Sequence, residues 1–274
     1  MIKEKAYAKI NLALEVMDLV DGYHKVNNIM IPIDLYDELS FEKNDSIEIV
    51  DDPFKGNNII EKAAKLFFEY NNINSGVKIN LKKNIPYEAG LAGGSSDGAA
   101  TLKGLNKLYD TKLSNDILIE LAKRLGSDVP FFIDEKAALC TNRGEIINPL
   151  ISNISNIDLL LIKPNTGLST KLVYQNYKYE NISKETKLNN VILALKNNDK
   201  ELLKNNIFND LGNVALRLNK DMENIYVRLS LLNYDVKVSG SGPTMYILDI
   251  KEDDYSYIKS IFDDSVTIIK TKLK

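Results

Sequence analysis

The chain holds one cysteine, Cys140, one histidine, His24, and no tryptophan. A single cysteine excludes an intrachain disulfide. One cysteine with one histidine excludes a zinc site built from about four nitrogen and sulfur ligands. At most one Ser-His-Asp arrangement could form, centred on His24. No apolar run approaches the ~20 residues that cross a bilayer. The first residues, MIKEKAYAKI, lack the apolar stretch of a signal peptide, so a cytoplasmic protein without a membrane partner is expected. The net charge is -3, with lysines and arginines dispersed, and no nucleic-acid partner is expected. The phosphate-binding pattern G-x-x-x-x-G-K-[ST] is missing, as is G-x-G-x-x-G. An oxygen-ligated Mg²⁺ stays open.

What is present is ordinary for a soluble globular protein. The 274 residues are 44% hydrophobic and 27% charged. That length suits two lobes, or one large domain, at ~150 residues each. Neither a clean linker nor an internal repeat divides them.

The most informative stretch is Ile85–Leu102, IPYEAGLAGGSSDGAATL. Gly90, Gly93 and Gly94 allow a ligand to approach the backbone closely. Ser95 and Ser96 add hydroxyls, and the helix that follows turns its free N–H groups and positive dipole end toward the loop. Such a cradle suits phosphate, although a serine-capped glycine loop is an equal reading on composition alone. The strand expected over 77–81 precedes the loop and a helix to about Tyr109 follows it, which is the context a phosphate loop needs.

Upstream, Ile10, Leu12, Leu14 and Val16 alternate as on a half-buried strand, with Lys9, Asn11 and Glu15 on the opposite face. Asp21-Gly22-Tyr23-His24 reads as a turn. Short strands over 29–35, 38–43 and 46–50 suggest an antiparallel meander. A helix is expected from Asn58 to Tyr70, capped by Asn57 or Asn58. A second runs from Ser114 to Leu125 and ends on Gly126 as a left-handed cap. Asp128 then stands beside an apolar Pro-Phe-Phe run, either as a surface-turn carboxylate or aimed into a cleft. Strands are expected over 137–141 and 157–163, helices over 170–177, 188–208 and 222–232, and a strand, Gly-Ser loop and strand over 236–248.

Taken together, YAKINLALEV, DGYH, IPYEAGLAGGSSDGAATLKGLN, LGSDVPFF, KPNTGLST and VSGSGPT resemble, in order and spacing, the GHMP kinase superfamily. The resemblance spans about Lys5 to Leu248. The combination of AKINL, DGYH and LGSDVPFF is similar to the branch that phosphorylates a cytidine diphosphate ester of methylerythritol. The resemblance implies an α+β, two-lobed GHMP kinase fold. A ribosomal-S5-like N-terminal domain would occupy residues 1–150, and a ferredoxin-like C-terminal domain residues 151–274.

It also implies transfer of the γ-phosphoryl of ATP to the 2-hydroxyl of the methylerythritol unit, a step toward isoprenoid precursors. Lys9 and Asp128 would be the catalytic pair, with the lysine orienting the aspartate and offsetting charge. ATP would be held by Pro86, Tyr87, Glu88, Ala89, Gly90, Leu91, Ala92, Gly93, Gly94, Ser95 and Ser96, with Ser95 or Ser96 positioning Mg²⁺. Tyr23 and Tyr174 would sandwich the cytosine and His24 would read its edge, with Tyr177 and Tyr179 close enough to compete for the role of Tyr174. Asn11 and Thr170 would line the same pocket. Gly240, Ser241 and Gly242 would lie near the substrate phosphates or support the glycine loop. The expected partners are small molecules, ATP and the cytidine ester, and a homodimer is left open.

Three departures from the family pattern stand out. The arginine usual before DGYH is missing, Gly98 replaces a common alanine, and Glu88 sits inside the phosphate loop and is expected to point outward. Asn57 and Asn58 are offered for the adenine side. A homoserine- or mevalonate-type kinase, or an inactive nucleotide-binding protein on the same fold, is the alternative; DGYH and the Lys9–Asp128 pair argue against them.

Overall fold

The structure is a computed structural model and describes residues 1–20, 22–50, 58–154, 157–179 and 182–274. Asp21 of the DGYH turn and Asn57 lie outside the described residues. The N-terminal half is built on one long hairpin, β1 (Ile2–Val20) against β2 (Tyr23–Asn44). The short strands expected over 29–35 and 38–43 are thus parts of one strand. Pro32 does not break it, because it lies opposite Lys9 next to a register shift, where a missing ladder donor is tolerated. The Lys9 backbone N–H turns instead to the carbonyl of Leu91 in the glycine loop, at 3.1 Å.

The meander expected next does not form. β3 (Glu48–Val50) pairs parallel with β4 (Gly76–Lys82), and β4 lies between β3 and β2. The crossover is made by α1 (Ile59–Asn71), whose first turn Asn58 caps by accepting from the Ile60 N–H at 2.9 Å. After the glycine loop come α2 (Gly93–Leu108), α3 (Asn115–Leu125, capped by Ser114) and the short α4 (Phe131–Asp134). Gly126 ends α3 with an extended φ of 167°, so the expected left-handed cap is replaced by a chain that leaves the helix straight toward Asp128. β5 (Ala138–Asn142) pairs with the start of β2, and β6 (Ile146–Pro149) pairs with β5.

The C-terminal half carries a four-stranded antiparallel sheet. Its members are β7 (Asp158–Pro164), β9 (Lys237–Val238), β10 (Met245–Leu248) and β11 (Val266–Lys272), in the order β11-β7-β10-β9. Around it lie α5 (Thr170–Asn176), α6 (Glu185–Asn197), α7 (Lys200–Asn206), α8 (Gly212–Leu218), α9 (Lys220–Leu231) and α10 (Glu252–Ile261). The long helix expected over 188–208 is broken at Asn198, which adopts the left-handed conformation.

The halves are stitched together. β8 (Phe208–Asn209) joins β1 in parallel, and Leu273 bridges to Ile33. One core fills the space between the N-terminal sheet and α1–α4. A second, with Ile10, Leu12, Ile31, Leu161, Val191 and Tyr246, joins the N-terminal hairpin to the C-terminal half. β1 is therefore covered on both faces and is not the half-solvated strand that its alternation suggests. Lys9 and Asn11 are buried with it, at 4% and 2% exposure.

Candidate active site

The glycine loop reaches α2 without a side-chain cap. Ala92 occupies the N-cap position in the left-handed region, at φ 56°, so the first N–H groups of a 16-residue helix have no capping acceptor. That leaves them available to an anion. A Cβ on Gly94 would meet nothing within 4 Å, so this residue offers open approach at the helix entrance. The buried Ser96 hydroxyl and one buried Asp97 carboxylate oxygen, Oδ1, have no hydrogen-bond partner. Unpartnered buried oxygens at a helix N-terminus fit an incoming phosphate–cation pair. Among the described residues no group of three acidic, histidine or cysteine side chains could hold a metal by itself.

Beneath the loop lies a charge cluster that sequence reasoning missed. Asp37, fully buried on β2, accepts from the backbone N–H of Asn84 at 2.6 Å and of Ile85 at 2.8 Å. Its other oxygen accepts from Lys83 Nζ at 2.5 Å, and Lys83 also donates to Asp97 Oδ2 at 2.8 Å. Burial pushes the Asp97 carboxyl up to about 7, with the Lys83 ammonium pulling it down and the Asp37 charge adding to the rise. Burial pulls Lys83 down, but Asp97 and Asp37 outweigh it and the ammonium ends above its usual range. Lys83 and Asp97 sit on either side of the loop and Asp37 ties down its entrance. In the sequence the cluster shows only as Lys82-Lys83 between the strand and the glycine loop.

Gly90 needs its glycine. At φ +71° a Cβ would strike the carbonyl oxygens of Gly242 and Ser239, each at 2.7 Å. The glycine loop and the Ser239–Thr244 loop are thus in direct contact. The Gly90 carbonyl accepts from Lys9 Nζ at 3.1 Å and from the Ser239 hydroxyl at 3.3 Å. Lys9 Nζ also donates to Asn11 Oδ1 at 2.8 Å. Burial holds the Lys9 ammonium below its ordinary range, with Asp128 and Cys140 pulling weakly the other way.

Asp128 is half-buried, between exposed Ser127 and fully buried Val129. Its carboxylate lies beside Gly144, where a Cβ would come within 3.7 Å of Oδ1. Its charge acts on Lys9, Cys140 and Tyr174 together. Lys9 and Asp128 are brought to one place but are not directly bonded, since Lys9 donates to Asn11 and Gly90 instead.

The aromatic end lies at the tip of the β1–β2 hairpin. His24 and Tyr174 are near-parallel, with centroids 6.1 Å apart and planes 25° apart. Tyr177 meets His24 edge-on at 5.8 Å, and its hydroxyl donates to Asp210 at 3.4 Å. Tyr179 is exposed. Burial, then the charge of Asp128, pushes the Tyr174 hydroxyl up to about 12. Tyr23, next to His24 on β2, projects to the other side, as successive strand residues do. There its ring lies under the guanidinium of Arg143 at 3.8 Å. In this structure His24, not Tyr23, faces Tyr174. Arg143, on the β5–β6 turn, carried no recognisable sequence signal.

His24 Nδ1 is 2.9 Å from the Met17 carbonyl. A carbonyl only accepts, so Nδ1 carries a proton, and in the neutral ring Nε2 is then the acceptor. Thr170 Oγ1 is 2.8 Å from the Ser241 hydroxyl, which ties α5 to the second glycine loop. Gly98 packs under Ile59, where a Cβ would approach to 3.0 Å, so the departure from alanine suits close contact between α1 and α2. Glu88 is exposed and its Oε2 lies against Gly167, 2.8 Å from where a Cβ there would be.

Residues 58–136 match the family model of the GHMP kinases N terminal domain. The chain is similar to the 4-diphosphocytidyl-2-C-methyl-D-erythritol kinase of Clostridium perfringens, with 40% identity covering 89% of this chain and 88% of that one. It is also similar to the enzyme of the same name from Clostridium botulinum, with 42% identity covering 88% and 89%. A solved structure of 4-(cytidine 5'-diphospho)-2C-methyl-D-erythritol kinase superposes with a TM-score of 0.84 at 29% identity, covering 99% of both chains. A homoserine kinase from Cytophaga hutchinsonii superposes with a TM-score of 0.72 at 16% identity, covering 100% of this chain and 95% of that one. That likeness concerns the fold alone.

Proposed function

The chain belongs to the 4-diphosphocytidyl-2-C-methyl-D-erythritol kinases of the GHMP family, and from that premise we propose how its residues carry out the reaction. It is an ATP-dependent kinase of isoprenoid precursor synthesis. The acceptor is the 2-hydroxyl of the methylerythritol unit. The observation that supports the reading is Lys9 bonded to the Gly90 carbonyl, where the two glycine loops touch, and within electrostatic reach of Asp128. We place the N-terminal domain at 1–150 and the C-terminal domain at 151–274, supported by β6 ending at Pro149 and the second sheet starting at Asp158.

The triphosphate lies along the segment Pro86–Ser96, its charge facing the free N–H groups of α2. The hydroxyl of Ser95 or Ser96 would help hold Mg²⁺, which would offset negative charge on the transferred group. Phosphoryl transfer passes through a loose transition state, so positioning and charge stabilisation dominate. The acceptor oxygen forms its bond to the γ-phosphorus while the bond to the β,γ-bridging oxygen breaks. Asp128 orients the hydroxyl and takes its proton late, since a carboxylate is a weak base for an alcohol. Lys9 stabilises negative charge between donor and acceptor.

Tyr174 gives one face of the base slot, and Tyr23 supplies the other by leaving Arg143 and turning to the Tyr174 side of the hairpin. Nε2 of His24 accepts from the exocyclic amino group of cytosine, which uracil lacks. Asn11, Thr170 and Ser241 line the path from the base to the reacting hydroxyl, with Gly240 and Gly242 supporting the phosphate loop. The roles are tested with Lys9→Met and Asp128→Asn. Each loses at least about 100-fold in kcat, in the range that general acid–base and charge-stabilising groups supply, while the protein stays folded. Near-normal turnover in either variant contradicts the assignment.

A further inference from the structure

We propose that Asn28 is a positioning residue for phosphoryl transfer, fixing the Asn11 amide and through it the Lys9 ammonium; this rests on the reading that Lys9 acts in the transfer. Lys9, Asn11 and Asn28 form a row of polar side chains inside the sheet, at 4%, 2% and 6% exposure. An ammonium only donates. Asn11 must therefore turn its Oδ1 toward Lys9, which it does at 2.8 Å. The amide is planar, so its Nδ2 then points away, into the protein. A buried donor left without an acceptor is costly. Asn28 Oδ1 accepts from it at 2.6 Å.

Polarity is thus dictated along the row from its charged end. Without the Asn28 oxygen, Asn11 is held against the half-turn that would set its own N–H groups against the ammonium only from its Oδ1 side, by Lys9 itself and by the longer Ser239 contact at 3.4 Å. The backbone keeps Asn28 in place: it lies opposite Leu14 of β1 and Cys140 of β5, in the middle of the sheet. The other groups facing Lys9 are the Gly90 carbonyl and two titratable side chains, Asp128 and Cys140. Neither titratable group orients the Asn11 amide.

A merely structural amide would change the melting temperature without moving the pH dependence of turnover. The test therefore measures kcat, KM for ATP and the alkaline limb of the kcat–pH profile of the full chain, with the cytidine diphosphate ester as acceptor. Asn28→Leu should lower kcat by about 10- to 100-fold, the factor carried by one hydrogen bond to a charged group, while KM for ATP stays near wild type. Its alkaline limb should move to lower pH, because the charged form of Lys9 loses an acceptor. Asn28→Asp keeps the acceptor and adds negative charge nearby, so its limb should move to higher pH. An unmoved limb in Asn28→Asp overturns the proposal, and that variant decides if Asn28→Leu does not fold. Wild-type kcat in folded Asn28→Leu also overturns it. Lys9→Met separates the two ideas: if it remains active, the role of Lys9 itself has failed.

Discussion

Lys9 is an ammonium held away from water, and that has a consequence beyond catalysis. Its folded pKa is depressed, chiefly by burial. Between that lowered value and the usual value near 10.5, the unfolded chain binds more protons than the native one. Stability from this group therefore rises as pH climbs through that window and is lost as pH falls below it. At neutral pH Lys9 costs stability. Lys9→Met should have a melting temperature at pH 7 no lower than wild type, and the stability gap between the two should close as pH rises toward the unfolded value. The single Ser239 hydroxyl proton stays within reach of both acceptors that Lys9 would leave, Asn11 Oδ1 at 3.4 Å and the Gly90 carbonyl at 3.3 Å, and can serve one of them. A large fall in melting temperature would mean that the lysine serves the fold, not the reaction. Thermal unfolding across neutral to alkaline pH reads this directly. Lys9 and Asp128 were legible as sequence motifs, but the depth of Lys9 was not. Alternation along β1 could not reveal that the second face would be covered by the glycine loop and the C-terminal half. Arg143 and Asn28 were invisible for the same reason, since each gains its role from a partner distant in the chain.

The glycine loop and α2 form the element we assign to phosphate binding. Its glycines are not equivalent. A Cβ on Gly93 would press on Ile85 at 2.9 Å, whereas one on Gly94 meets nothing. Gly104, further along α2, packs so closely on Phe41 that a Cβ would fall 2.4 Å from its ring. Gly94→Val should therefore leave the melting temperature close to wild type and weaken ATP binding by at least about tenfold, corresponding to ~1.4 kcal/mol. Calorimetric titration checks it, and unchanged affinity in the folded variant would place the triphosphate elsewhere. Gly104→Ala should do the reverse, lowering stability through steric overlap with little specific effect on ATP affinity. This element was the best read from sequence: strand, loop, helix, and the caps of α1 and α3 at Asn58 and Ser114 all depend on neighbours within a few residues. The strands were read less well. β3 pairs beyond β4 and not with β2, because pairing is settled by which edges the helices leave open. Local β-propensity does not carry that choice.

Over the whole molecule, two glycine loops meet at Gly90, and the acceptor's base and its reacting hydroxyl are served by different elements. His24 and Tyr174 come from the β1–β2 hairpin and α5, Lys9 from mid-β1, and Asp128 from the turn after α3. Binding energy at the base can then position a hydroxyl some distance away, so free methylerythritol should be a very poor acceptor. Stacking on the tyrosine faces contributes ~1–3 kcal/mol without choosing a base. On the proposed assignment the choice falls to His24 Nε2, and facing it with the uracil carbonyl leaves two acceptors opposed, at ~1–3 kcal/mol. Acceptor selectivity therefore tests the central claim most directly. With ATP and Mg²⁺, kcat/KM is measured for the cytidine diphosphate ester of methylerythritol, its uridine analogue, free methylerythritol, homoserine and mevalonate. The cytidine ester should be the best acceptor, ahead of the uridine ester by roughly one to two decades and further ahead of the rest. Homoserine or mevalonate as the best acceptor would contradict the account.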